Sequence, residues 1–154
     1  MSDKMGLSLF EQINFCERFS ELPNAFQTEN RLENFDQKIV ERLMTEISPC
    51  FYYDKKERCF CEDVEFANGT VYFRLSLKHA ITECMIGASI RSTGEHFGGP
   101  LTRVARKIYE SKGIDYVKLK HPRFSSYDEL RIIVSRLYNI FEDFSKAVIE
   151  AYEG

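Results

Sequence analysis

The sequence predicts one α+β domain over residues 1–154, built as an antiparallel, four- to five-stranded meander sheet with about four helices packed mainly on one face. Two observations predict it. Apolar residues recur at helical spacing near both ends of the chain and at a period of two between residues 50 and 90. The dipeptide Asn68-Gly69 then separates two alternating stretches, the local mark of a tight hairpin.

The elements follow in order. Ser8-Leu9-Phe10-Glu11 reads as a capping box, with Ser8 at the N-cap and Glu11 three places on. Phe10, Ile13, Cys16 and Phe19 would form the apolar stripe of the first helix, which should end before Pro23. LPNAFQTEN (22–30) reads as a loop. A second helix is expected from Asn30, with Leu32, Phe35, Ile39 and Leu43 buried, Ile47 extending the stripe and Pro49 ending it. Strands are expected at 50–53, 59–66, 71–77 and 82–90. A type I′ turn at Asn68-Gly69 would set Ala67 opposite Thr70, Val64 opposite Phe73 and Phe60 opposite Leu77. One sheet face is then mostly apolar, carrying Phe60, Val64, Phe66, Val71, Phe73, Leu75 and Leu77 together with Glu62. Cys84, Ile86, Ala88 and Ile90 would join it. A short helix lined by Leu101, Val104, Ala105 and Ile108 should end at Gly113. IDYVKLK (114–120) reads as a fifth strand. Ser126 and Glu129 form another capping box, opening the longest helix, whose stripe is Leu130, Ile133, Val134, Leu137, Phe141, Phe144 and Val148.

Composition narrows the function classes. Apolar residues make up 44% of the 154, enough for a real core and too many for a disordered chain. The net charge of -3 argues against a dedicated nucleic-acid binder, which carries a basic balance or patch. The N-terminus shows no secretory signal, and no run approaches the roughly 18 apolar residues of a membrane span. Five cysteines, an odd number, are then simplest as reduced thiols in a cytoplasmic protein.

No catalytic signature stands in the chain, and neither a cofactor nor a metal is expected. The three histidines fall in or near turns without ligand spacing. Cys50 would lie opposite Cys61 with Cys59 on the same face. Three thiols could ligate zinc with His79, but the C-x-C spacing lacks a second pair, and cysteine is common as a small buried hydrophobe. GEHFGGPLTRVARK (94–107) admits two readings. Gly98, Gly99, His96 and Arg103 could hold an anion at a helix N-terminus opened by Pro100. The same glycines and proline could simply swing the chain from sheet to helix. The basic stretch from Arg91 to Arg123 could contact phosphates or be a solvated face; no aromatic stacking motif accompanies it.

The richest candidate surface is the mixed sheet face. By parity it holds Tyr52, Asp63, Glu65, Tyr72, Arg74, Met85, Ser89 and Arg91, along with Cys61 and Gly87. Asp63 and Arg74 are expected to pair across strands. Tyr, Met, Arg and paired charge are what interface centres favour. The other reading is a face partly covered by one of the protein's own helices.

In size, mild acidity and α+β layout, the whole chain resembles the small cytoplasmic immunity proteins that bacteria pair with secreted or contact-delivered toxins. The likeness lies in layout and not in a motif. It implies a non-enzymatic, stoichiometric inhibitor whose partner is a toxin domain. Acid-rich segments such as 29–46 (Glu29, Glu33, Asp36, Glu41, Glu46) could then mask a basic toxin site. Two other classes remain: an enzyme or sensor for an anionic or phosphorylated small molecule at Gly98-Gly99-Pro100, and a nucleic-acid binder using the basic 91–123 stretch.

Overall fold

Five antiparallel strands pair in the order in which they occur along the chain, giving the meander expected from the period-two alternation. The computed structural model describes residues 2–153. Three helices come first: α1 (Ser2–Gln12), α2 (Phe15–Ala25) and α3 (Gln37–Ile47). The sheet follows as β1 (Tyr52–Asp54), β2 (Cys59–Phe66), β3 (Gly69–Ser76), β4 (Glu83–Ile90) and β5 (His96–Pro100). It is followed by α4 (Leu101–Ser111) and α5 (Tyr127–Glu153). The fold is α+β: α1, α4 and α5 pack against the sheet, and α2 and α3 pack on α5. No helix among the described residues is long and apolar enough to cross a membrane.

The strand faces sort as their parity predicts. Val71, Phe73, Leu75, Ile86, Ala88 and Ile90 are buried, and their neighbours Asp63, Glu65, Met85 and Ser89 are exposed. The register, however, is displaced by two residues. Phe66 pairs with Gly69, Val64 with Val71, and Phe60 with Leu75, so the reversal falls at Ala67-Asn68. Neither residue has positive φ, which excludes the primed turn that Asn-Gly suggests. The reason is tertiary. Asn68 Oδ1 accepts from Ser92 N (3.0 Å), its Nδ2 donates to Ser92 Oγ (3.0 Å) and to Tyr152 O (3.3 Å), and its carbonyl accepts from Arg91 N (2.7 Å). Asn68 therefore ties the hairpin to the end of β4 and to α5, while Gly69 serves inside β3. A shift of two keeps every side chain on its own face, which is why the faces survived a wrong register.

Glu62 lies on the apolar face and is buried. Its carboxyl oxygens accept from Ser48 Oγ (2.6 Å) and Tyr138 Oη (2.7 Å), so this buried polar group is hydrogen-bonded and fixes α5 to β2. Burial also pushes the Tyr138 phenol above its ordinary range.

The long helix is as expected. Leu130, Ile133, Val134, Leu137, Phe141, Phe144 and Val148 are all buried. Ser126 Oγ accepts from Glu129 N (3.1 Å), and the Glu129 carboxylate turns back to Ser125 N (2.7 Å). Phe144 stacks on Phe10 at 4.0 Å, and Phe141 packs on Phe73 at 5.4 Å, joining α1, α5 and the sheet in one core.

Four local expectations are corrected. Ser8 is not a cap, because α1 begins at Ser2 and Ser8 lies inside it. Gly6 lets α1 lie directly on Phe97, where an added Cβ would come within 2.7 Å of the Phe97 side chain, and that packing outweighs the local cap signal. The first apolar stripe is split by Asn14, whose φ of 59° breaks α1 from α2, and α2 runs through Pro23, which is buried in its last turn. The helix expected from Asn30 starts at Gln37. Asp36 caps it through Lys38 N (2.9 Å), whereas 26–32 runs alongside 123–124 through Arg123 N to Phe26 O (2.8 Å) and Leu32 N to Phe124 O (3.0 Å). Ile39 is consequently exposed, and Val40, Leu43 and Met44 form the buried stripe.

The fourth correction concerns the fifth strand. It is His96–Pro100, and 114–120 is not a strand. Two glycines and a proline lower the strand propensity of 96–100, yet an edge strand tolerates them. The 114–120 segment alternates but buries neither Ile114 nor Val117. It folds back on α4 instead, with Tyr116 Oη donating to Thr102 O (3.2 Å) and accepting from Leu119 N (3.2 Å).

Candidate functional site

The uncovered sheet face gathers most of the residues singled out by parity, and β5 extends it. Ser89 pairs with His96, Gly87 with Gly98 and Met85 with Pro100, so His96 stands on the same face as Tyr72 and Arg74. Asp63 pairs with Tyr72, and Arg74 with Cys61. The Asp63–Arg74 ion pair therefore forms on the diagonal rather than directly across, at 2.8 Å.

These side chains make a continuous row across the strands. Tyr52 Oη donates to Asp63 Oδ2 (2.8 Å), which pushes the Tyr52 phenol up to about 12, since the carboxylate favours its neutral form. Arg74 donates to Asp63 Oδ1 from one side and to Phe73 O (2.8 Å) from another. Its guanidinium lies 5.4 Å from the centre of the Tyr72 ring. Tyr72 stacks on His96 with ring centres 5.8 Å apart and an interplanar angle of 16°, and its hydroxyl lies 3.3 Å from His96 Nε2. Burial raises the Tyr72 phenol, against the opposing pull of Arg74 and Arg103. Gly87 makes the row possible: a Cβ there would run into the Tyr72 phenol, which lies across β4 to reach His96. Beside the row, Glu65 accepts from Thr70 Oγ1 (2.9 Å) and meets Arg91 at 3.5 Å.

Tyr52 and Met85 are 47% and 38% exposed, so large side chains of this face meet solvent. Asp63, Glu65, Ser89, Arg91 and His96 are exposed, and Tyr72 and Arg74 half-buried. The acid-rich segment stands apart from this face, in the helical layer. Glu33 meets Arg31 and His79, Glu46 pairs with Arg131 at 2.8 Å, and Asp36 caps α3.

The glycines of 94–107 are placed differently from a phosphate loop. Gly98 and Gly99 are ladder residues of β5, opposite Gly87 and Ile86, and α4 starts only at Leu101 with Pro100 as its N-cap. His96 is engaged with Tyr72 on the open face, and Arg103 lies in the wall of a groove beyond Pro100. That groove is formed where α4 meets 116–123, a juxtaposition of distant segments for which the basic run was the only sequence signal.

The cysteines do not assemble as the sequence suggested. Tyr52, not Cys50, lies opposite Cys61, because β1 starts two residues later than expected. Cys59 and Cys61 approach at 3.4 Å between sulfurs, while Cys50 is exposed. No three His, Cys, Asp or Glu side chains among the described residues converge as a metal site. Burial, then the hydrogen bond with Cys59, pushes the Cys61 thiol up to about 12, and burial alone pushes Cys84 well above its ordinary range. Alkylation requires thiolate and access. Iodoacetamide under native conditions should therefore label Cys50 first and Cys84 only on unfolding, as read by peptide mass spectrometry. Labelling of Cys84 at the rate of Cys50 would contradict this core.

The chain matches no protein-family model, no curated protein and no solved structure.

Proposed function

We propose that the protein is a non-enzymatic binding module that docks another protein on the open sheet face, and that the partner is a toxin domain neutralised at one-to-one stoichiometry. The observation that carries this reading is the Tyr52–Asp63–Arg74–Tyr72–His96 row, a connected set of aromatic and charged side chains on a sheet face without a helix above it. Tyr and Arg supply most anchors of protein interfaces, and Met85 adds an adaptable apolar contact. Their mutual bonds hold the rotamers before docking, so less side-chain entropy is lost on binding. The titratable groups of the face are partnered with one another, which suits recognition better than proton transfer.

An immunity protein should be encoded immediately downstream of a large toxin, and the test is co-expression with the C-terminal domain of that neighbour. A one-to-one complex should emerge in size-exclusion chromatography with light scattering. Tyr72→Ala and Arg74→Ala should each weaken it by roughly tenfold or more, the scale of an interface anchor. Failure of the two chains to associate, or an affinity indifferent to both substitutions, would remove the proposal.

A further inference from the structure

We propose that a groove between the start of α4 and the segment 116–123 binds the oligophosphate chain of a small ligand, a property separate from protein docking on the open face. The groove has a volume of about 740 Å³, within the range of small-molecule sites. Its walls carry Arg103, Arg106, Lys118, Lys120, His121 and Arg123, and no carboxylate lines it. The whole chain is acidic, with 24 Asp and Glu against 21 Lys and Arg, so this local excess of one sign is not inherited from composition.

Arg106 meets Glu110 at 3.7 Å. Among the described residues, Arg103, Lys118, Lys120 and Arg123 form no ion pair. Gathering like charges in a concavity raises the self-repulsion of the folded chain, and a bound anion relieves it. A cleft lined by one sign also concentrates the field, which draws the anion in. Guanidinium groups match phosphate oxygens in pairs, and the lysines add point charge.

The walls are built before any ligand arrives. Tyr116 Oη is held between Thr102 O and Leu119 N. Pro122 O accepts from both the backbone and the hydroxyl of Thr82 at 2.9 Å, and Arg123 N donates to Phe26 O at 2.8 Å. These bonds pin both ends of 116–123, so the cations stand on a fixed frame.

The occupant is a small molecule rather than a nucleic acid for two reasons. The phenol of Tyr116, the only aromatic ring beside His121 in the lining, is engaged on both sides and offers no platform of successive rings for bases. The cationic patch also meets a carboxylate at its α4 edge, where Glu110 pairs with Arg106.

Titration calorimetry with inorganic tripolyphosphate at low ionic strength is the direct test. Saturable one-to-one binding is expected. The double variant Arg103→Ala/Lys120→Ala, checked for an unchanged circular dichroism spectrum, should weaken it at least tenfold. Tyr52→Ala, on the open face, should leave it unchanged, so the groove and the docking face fail or stand separately. ATP binding as tightly as tripolyphosphate, or more tightly, supports a nucleotide-sized ligand. The proposal is overturned by an absence of saturable binding at millimolar tripolyphosphate, or by binding that the double variant retains. It is equally overturned if a single-stranded oligonucleotide binds more tightly than tripolyphosphate with a steep salt dependence.

Discussion

Gly98→Ala is expected to destabilise the fold by about 2–5 kcal/mol, combining backbone strain with overpacking. Gly98 has a φ of 95°, a region that residues with a Cβ rarely adopt. An added methyl would collide with the Ile86 carbonyl oxygen and come within 2.5 Å of the Gly87 Cα. Both obstacles are backbone of β4, so no side-chain rotation relieves them. Urea denaturation should show the midpoint falling at an unchanged slope. Gly99→Ala is the internal comparison: its φ is 136°, but nothing lies within 4 Å of the new methyl. Strain without collision should cost about 1–3 kcal/mol. Equal stability of Gly98→Ala and the unmodified protein would mean that β5 does not pair with β4 in this register, and His96 would leave the open face with it.

That dependence on β5 also explains which parts of the molecule could be read from its sequence. Periodicity reported what each element does with its own surface. The α5 stripe, the inward Phe73 and Leu75 and the outward Tyr72 and Arg74 follow from burying one side of a helix or strand, which is a local property. Register, caps and the fifth strand are decided by distant partners. Asn68 turns the chain where Ser92 and Tyr152 can reach its side chain, not where Asn-Gly would turn in isolation. Gly98 and Gly99 look like loop residues until Gly87 and Ile86 are set opposite them. For the candidate site, parity found Tyr52, Asp63, Glu65, Tyr72, Arg74, Met85 and Ser89, since a face needs only alternation. It could not place His96 against Tyr72, which needs two strands and the gap at Gly87, nor the basic groove, whose walls come from α4 and from a segment that looked like a strand.

Phe73→Ala should cost about 3–5 kcal/mol, the range for a large buried aromatic cut back to a methyl. Phe73 is fully buried on β3, and its ring meets Phe51 at 5.4 Å, Phe141 at 5.4 Å and Tyr138 at 6.2 Å. Its loss would open a void where the sheet, α5 and the chain entering β1 converge. Tyr72 is one residue away on the other face. Its partners there are Arg74 and His96 on the open face, and it is only half-buried, so Tyr72→Ala should cost about 1–2 kcal/mol, the scale of one aromatic contact and one cation–π contact. The two substitutions remove rings of similar size from adjacent positions, and only strand parity separates them. Denaturation of both variants therefore measures the sidedness of β3 directly; equal losses would contradict the two-faced sheet. The asymmetry also makes Tyr72→Ala a usable probe of docking. A variant that stays folded yet binds the proposed partner tenfold more weakly would locate the contact on the open face, whereas a binding loss in Phe73→Ala would report only a loosened core.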